Sequence, residues 1–325
     1  LRRYAGVKHP TGARVKAPLV LIPPLMLTAE IYDVSPELSA VSVLTSEGID
    51  PWVIDFGAPE REEGGMERTL DDHVRAVAKA IRMVAEQTGA PVHLAGYSQG
   101  GMFAYQAAAY LQSSHLASVI TFGSPVDIHA NLPSLSNEVA ERVIGMARTL
   151  IEYPLTHMEG LPGILTSTGF KLLTPVKEAQ QLVDFVRNLH DRQALEKRES
   201  RRRFLGGEGF VAWPGPALRK FIDEFVVHNR LASGGFVIDG RSVTLADIRC
   251  PVLAFVGERD DIARPPSVRA IANAAPNAEV FEIPLSAGHF GLVVGSTSLR
   301  ETWPSVVEWL RWREGLGERP ALITD

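Results

Sequence analysis

The chain has 325 residues, of which 45% are hydrophobic and 22% charged, with a formal net charge of −5. That composition excludes a disordered polymer, and it gives no electrostatic reason to expect nucleic acid or an anionic membrane as a bulk partner. A single cysteine, Cys250, excludes an internal disulfide and suits a reducing compartment. No apolar run approaches the roughly 18 residues that a membrane-spanning helix needs. The charged start (Arg2, Arg3, Lys8) lacks the apolar segment of a secretion signal, so a cytoplasmic protein is expected. The chain opens on Leu1 rather than Met, which fits one domain of a longer protein; a homodimer is the other assembly left open.

From the N-terminus, short apolar runs alternate with longer amphipathic ones. Leu19–Ile22 is a short apolar run stopped by Pro23-Pro24, as in a strand that leads into a loop. Residues 52–56 form a second such run, closed by Gly57, Ala58 and Pro59, and an acidic loop follows over 60–67. Thr69 with Asp72 three residues later resembles a capping box, with Asp in place of the longer Glu. Behind it Leu70, Val74, Val77, Ile81 and Val84 recur at helical spacing until Gly89-Ala90-Pro91 ends the helix. Residues 92–95 are then predicted as a strand, 102–111 as a helix rich in small residues, and 119–122 as another strand.

Strands alternating with helices at this spacing imply right-handed βαβ crossovers and a mostly parallel sheet flanked by helices. From about residue 131 to 240 the pattern changes to mainly helical periodicity broken by Pro and Gly. The alternation then resumes with a strand over 251–256, a helix over 268–274, a strand over 280–283 and a closing helix over 302–313. The expected architecture is one α/β core in two pieces, residues 1–130 and 246–325, with a helical cap inserted over 131–245.

Gly96-Tyr97-Ser98-Gln99-Gly100 is a G-x-S-x-G pentapeptide lying directly between a predicted strand and a predicted helix. Three fixed positions arise often by chance, but this context resembles the nucleophile elbow of the α/β-hydrolase superfamily. Gly96, Gly100 and Gly101 leave room for a strained turn at Ser98, and the helix behind it aims its dipole at developing negative charge. A serine hydroxyl needs a base, and the family order Ser…Asp…His puts it after the last strand, where His289 sits in Ala287-Gly288-His289-Phe290-Gly291. His9, His73, His93, His115, His129, His190 and His228 read as surface or satisfied core residues, and His157 as a weak candidate within the insertion.

The orienting acid should follow the strand over 251–256. Asp260 is favoured, three residues past Gly257; Asp261 is the close alternative, Glu258 a distant one, and Asp127 a fallback whose plainer reading is a helix cap. Two backbone N–H donors are needed for the oxyanion. One is expected from Gln99, the other from Leu25 or Met26, because neither proline before them carries an N–H.

Across most of its length the chain resembles the polyhydroxyalkanoate synthase branch of that superfamily. The resemblance rests on Ile22-Pro23-Pro24 with Ile31-Tyr32-Asp33, on Gly96 to Gly101, and on Asn229-Arg230-Leu231 with Gly234-Gly235 and Asp239-Gly240. It continues through Asp260-Asp261-Ile262 and Gly288-His289, and it assigns nucleophile, acid and base to Ser98, Asp260 and His289. Those synthases use a cysteine nucleophile where this chain has Ser98, and they usually carry a histidine where it has Asp261. A serine ester is less activated than a thioester, which moves the expectation from chain elongation toward hydrolysis. The chain is also similar to hydrolase-like domains at the front of long actinobacterial proteins that carry the name acyl-CoA synthetase.

The function these residues imply is a serine hydrolase of esterase, lipase or thioesterase type, acting on a small-molecule acyl ester or acyl-CoA through a covalent acyl-enzyme. The alternatives are synthase-like acyl transfer from CoA to a hydroxyl and a non-catalytic scaffold, which would be expected to have lost a triad member. Dehalogenase and epoxide hydrolase chemistry would need a carboxylate at position 98. No metal constellation is visible and no cofactor is implied. Leu161, Ile164, Leu165, Phe170, Leu172, Leu173, Phe185, Phe204, Phe210 and Trp213 are expected to form the core of the cap, some of them lining an acyl tunnel. Residues 197–203 carry five basic side chains, read as a solvated helix face or, more sharply, as a site for the phosphates of CoA or for a carrier protein.

Overall fold

The computed structural model describes residues 1–4, 14–131, 159–163 and 203–324, with isolated positions at 145, 149 and 199. Most of the expected cap, including Ile164, Leu165, Phe170, Leu172, Leu173 and Phe185, lies outside the described residues, as do His9, His157, His190 and all but two positions of the basic stretch 197–203.

Seven strands make one sheet. In chain order they are β1 (Arg2–Arg3), β2 (Leu19–Ile22), β3 (Pro51–Val53), β4 (Val92–Tyr97), β5 (Leu116–Phe122), β10 (Val252–Gly257) and β11 (Val280–Leu285). Across the sheet the order is β1-β3-β2-β4-β5-β10-β11. Every pairing is parallel except that of β1, which adds antiparallel to β3 at the edge. Four further strands are short pairs outside it: β6 (Gly160–Leu161) with β7 (Trp213–Pro214), and β8 (Phe236–Ile238) with β9 (Arg241–Val243). The helices are α1 (Ala40–Ser46), α2 (Leu70–Thr88), α3 (Gln99–Tyr110), α4 (Gly215–Phe221), α5 (Arg230–Ser233), α6 (Pro265–Arg269), α7 (Ile271–Ala274) and α8 (Trp303–Arg313).

The central strands β2, β4 and β10 are buried at every position, as sheets covered on both faces require. Strand alternation on β5 shows which helix covers which face. Tyr105 of α3 shares a hydrogen bond of 2.7 Å with Thr121, whereas Trp309 Nε1 of α8 donates to Ser118 and the Trp303 ring packs 5.1 Å from Phe122. Thr121 has opposite parity to Ser118 and Phe122, so α3 and α8 lie on opposite faces. Helix α2 packs beside α3 and buries Leu70, Val74, Val77, Ile81 and Val84. Its start is a complete capping box, Thr69 Oγ1 accepting from Asp72 N–H and Asp72 accepting from Thr69 N–H, and Gly89 ends it in the left-handed region. Such a cap stabilises a helix by about 0.5–2 kcal/mol.

Departures from the sequence reading have local causes. Helix α3 begins at Gln99 rather than 102, because Gly100 and Gly101 sit inside its first turn instead of forming a loop. The single helix expected over 268–274 starts earlier, with Pro265 and Pro266 at its N-terminus, and breaks at Ala270 into α6 and α7. The region expected to be mainly helical contains a hairpin whose turn is Asp239-Gly240, at φ of 51° and 73°. An Asp-Gly pair between apolar positions is a strong hairpin signal, and Phe236–Ile238 is too short to stand out as an alternating strand.

His93 of β4 lies at the centre of the sheet, 1% exposed, with Nδ1 2.7 Å from Ser118 Oγ. Ser118 also receives the Trp309 N–H at 3.0 Å, so a small polar network ties two strands to α8. Burial, assisted by the positive charge of Arg313, pushes the imidazole down to about 3 from its usual 6.5. Below pH 6.5 the unfolded chain therefore takes up a proton that the folded chain refuses, and stability falls with falling pH. His73, also buried and depressed, acts in the same direction. Denaturant titrations from pH 8 to 5 should show stability falling by up to about 1.4 kcal/mol per pH unit for each such group. His93→Gln should flatten that slope; a variant slope equal to that of the wild type would rule out His93 as a source.

Candidate active site

Ser98 stands between β4 and α3 with φ 54° and ψ −121°, a region that costs an L-residue about 1–3 kcal/mol. Its backbone is held on both sides. Ser98 N–H donates to Phe122 O at 2.9 Å, and Ser98 O accepts from Gly101 N–H at 3.0 Å and Met102 N–H at 3.2 Å. The turn folds so tightly that a Cβ on Gly96 would lie 2.3 Å from Gly100 O, so only glycine fits there. The result lifts the Ser98 hydroxyl out of the sheet at the carboxyl end of its central strand, where open α/β sheets place their ligands.

His289 opens the turn His289–Leu292 after β11, and Asp260 lies in the loop after β10. His289 Nε2 is 2.9 Å from Ser98 Oγ, and Nδ1 is 2.7 Å from Asp260 Oδ2. The other carboxylate oxygen, Oδ1, accepts the N–H groups of Ile262 and Ala263, each at 2.9 Å. Three hydrogen bonds to a side chain with no solvent exposure satisfy an ionised carboxylate without water. An ionised acid accepts only, so Nδ1 carries the imidazole proton and Nε2 presents its lone pair to the Ser98 hydroxyl. The Tyr97 ring lies against the imidazole, with centroids 5.0 Å apart.

The other acids have different places. Asp261 is exposed, and Glu258 pairs with Arg269 at the surface. Asp127 accepts from Asn229 Nδ2 at 2.8 Å and from Ala130 N–H at 3.1 Å, while Asn229 Oδ1 accepts from Ile128 N–H at 2.9 Å. This bridge joins the segment after β5 to a residue 102 positions further along the chain. Among the described histidines, His73 bonds Thr69 O and His129 bonds Val226 O.

The loop after β2 contains both candidates for the second oxyanion donor, Leu25 and Met26, but they are not equivalent. Leu25 N–H donates to Gln99 Oε1 at 3.1 Å and is therefore occupied. Met26 N–H has no protein acceptor among the described residues, and Gln99 N–H belongs to the first turn of α3, where no intrahelical acceptor exists. From the other side the chain at 209–211 grips the loop, with Val211 N–H donating to Met26 O at 3.1 Å and Thr28 N–H to Gly209 O at 2.9 Å.

Gly123 is a residue the sequence reading missed. It ends β5 at φ 53°, and a Cβ there would come within 3.0 Å of Asp260 Oδ2 and 3.3 Å of His289 Nδ1. A glycine after a strand is too common a signal to have singled it out. Among the described residues, no cluster of three His, Cys, Asp or Glu is placed to hold a metal ion. A cavity of about 560 Å³, lined by Glu60, Glu62, Glu67, Glu159 and Arg219 among others, shares no residue with the Ser98 cluster.

Residues 19–298 match the model of a family described as the alpha/beta hydrolase family. The chain is 27% identical over 303 residues to a poly(3-hydroxyalkanoate) polymerase subunit PhaC of Allochromatium vinosum, an alignment covering 91% of this chain and 81% of that protein. It is 27% identical over 320 residues to the subunit of the same name from Haloferax mediterranei, covering 97% of this chain but 63% of the relative. Among solved structures it resembles a monoacylglycerol lipase of Paleococcus ferrophilus, with a TM-score of 0.56 at 17% identity over 96% of this chain and 98% of the other. It also resembles MenH from S. aureus, with a TM-score of 0.57 at 15% identity over 96% of this chain and 98% of the other. At such identities the structural likeness speaks to the fold alone. With a family match spanning most of its length and a parallel sheet that carries a strained serine at its centre, the chain belongs to the alpha/beta hydrolase family.

Proposed function

We propose that the protein is a serine acyl hydrolase that cleaves acyl esters or thioesters through a covalent acyl-enzyme. The hydrogen-bonded line from Asp260 through His289 to Ser98, with distances of 2.7 and 2.9 Å, is the observation that carries this reading. Ser98 Oγ attacks the acyl carbon as its proton passes to His289 Nε2, and the carbonyl π pair moves onto oxygen. Gln99 N–H and Met26 N–H stabilise that oxyanion. When the intermediate collapses, the C–O or C–S bond to the leaving group breaks, and His289 returns the proton to the departing oxygen or sulfur. A water molecule deprotonated by His289 then attacks the acyl-enzyme and releases the acid, restoring the Ser98 hydroxyl. Asp260 holds the imidazole in the required tautomer and stabilises the imidazolium formed in each half-reaction.

A second reading has equal support from the relatives. In it the acyl group passes from CoA to a hydroxyl acceptor, as the name of the polyhydroxyalkanoate polymerase relatives suggests. The two readings share every step up to the acyl-enzyme and differ only in what attacks it. Ser98 in place of a thiol favours hydrolysis, because an oxygen ester is the less activated acyl donor. An insertion that excludes water from the site would favour transfer.

Turnover of p-nitrophenyl esters and acyl-CoAs from C2 to C16 provides the first test. Ser98→Ala should abolish it, and Asp260→Asn should lower kcat by about 10³- to 10⁴-fold by fixing the wrong tautomer. Wild-type activity retained in Ser98→Ala would remove serine catalysis from consideration. A second measurement separates the two readings by incubating an acyl-CoA with a 3-hydroxyacyl acceptor and quantifying free acid against new ester. Hydrolysis predicts that free acid dominates at every acceptor concentration; ester as the main product would establish transfer.

A further inference from the structure

Gln99 touches both halves of the oxyanion site. Its own N–H lies in the first turn of α3, and its side chain, in a residue 4% exposed, reaches across to the loop after β2. We propose that the Gln99 side chain is the positioning residue of the oxyanion loop, holding Leu25 N–H so that the next amide, Met26 N–H, faces a carbonyl at Ser98. The proposal rests on the reading of Ser98 as nucleophile and adds a role for a side chain that the reaction itself does not touch.

The geometry follows from the rigidity of peptide planes. Leu27 N–H donates to Pro24 O at 3.1 Å, which closes a turn with Leu25 and Met26 at its centre. The plane before Leu25 is pinned by the bond from its N–H to Gln99 Oε1 at 3.1 Å. The plane after Met26 is pinned by Val211 N–H on Met26 O at 3.1 Å. Met26 N–H lies in the single plane between them, with only Leu25 ψ and Met26 φ free to turn it. Removing the Gln99 acceptor releases one of the two pins, on the side that belongs to the sheet and the nucleophile helix.

The orientation of the amide is not arbitrary, because only its oxygen can accept from Leu25 N–H. That orientation leaves Nε2 buried with no hydrogen-bond partner among the described residues. A buried donor left unpaired works against folding, whereas the amide oxygen satisfies the buried Leu25 N–H. The amide is thus explained by what its oxygen holds rather than by what it contributes to the core.

Gln99→Met keeps the length of the side chain and the backbone N–H of residue 99 while deleting the acceptor, and Gln99→Leu repeats the deletion with a shorter chain. Both are compared with wild type in p-nitrophenyl ester turnover, normalised to sites titrated by an alkyl phosphonate. They are also compared in affinity for an alkylboronic acid, whose tetrahedral adduct carries the oxyanion. Both variants should lose about 10- to 100-fold in kcat with KM within about 3-fold, and boronic acid affinity should fall in parallel with kcat/KM. Gln99→Met removes the unpaired Nε2 but leaves the buried Leu25 N–H without its acceptor, so its thermal midpoint should fall modestly, and the phosphonate titration corrects kcat for any unfolded fraction. Wild-type kcat and boronic acid affinity in both variants would overturn the positioning role and leave the Ser98 reading intact. A wild type that neither turns over esters nor binds the boronic acid would overturn both.

Discussion

The positive φ of Ser98 organises the molecule around it. Holding an L-residue at φ 54° requires a rigid strand before it, a helix immediately after it, and neighbours that leave no room for alternatives. Strand β4 supplies the first, buried at every position between β2 and β5. Helix α3 supplies the second, with its first turn closed on Ser98 O. The strain is confined to one residue and offset by a sheet of seven strands, and this is why the hydroxyl stands clear of the backbone.

Around that serine the other groups come from separate strand ends and meet only in space. Asp260 is fixed by two backbone N–H groups of its own loop before it reaches His289, so the acid arrives already oriented. Gly123 keeps the space between β5 and the Asp260–His289 pair clear of a side chain. The segment after β5 also braces the acid loop, because Val126 and Asp127 both donate to Ser267 O and Asn131 Oδ1 accepts from Arg264 N–H. Asp260, His289 and Ser98 thus share supports and do not depend on three independent loops.

The loop after β2 is held from two directions of different origin. Gln99 engages it from the core and the 209–211 segment from its other side. Any displacement of that segment acts on Met26 directly through backbone bonds. The loop that flanks Ser98 is therefore tied to residues 209–211 by backbone hydrogen bonds.

Much of this was legible in the amino-acid sequence because the relevant signals are local. The strand–Gly96-Tyr97-Ser98-Gln99-Gly100–helix succession, the Thr69 capping box and the apolar runs of the parallel strands each depend on residues a few positions apart. The alternation of those runs with helices was enough for the fold class. Tertiary structure decided what depends on approach between distant segments. It placed Asp260 rather than Asp261 on the imidazole, because a loop of four carboxyl-bearing or charged residues in a row leaves its facing open until β10 and β11 are paired. It occupied Leu25 with a side chain 74 residues away and so set Met26 apart from it. It turned Asp127 into a brace with Asn229, a partner 102 residues distant, and gave Gly123 a reason to be glycine. Periodicity reports which face of an element is buried, but only packing determines which atom on that face meets which.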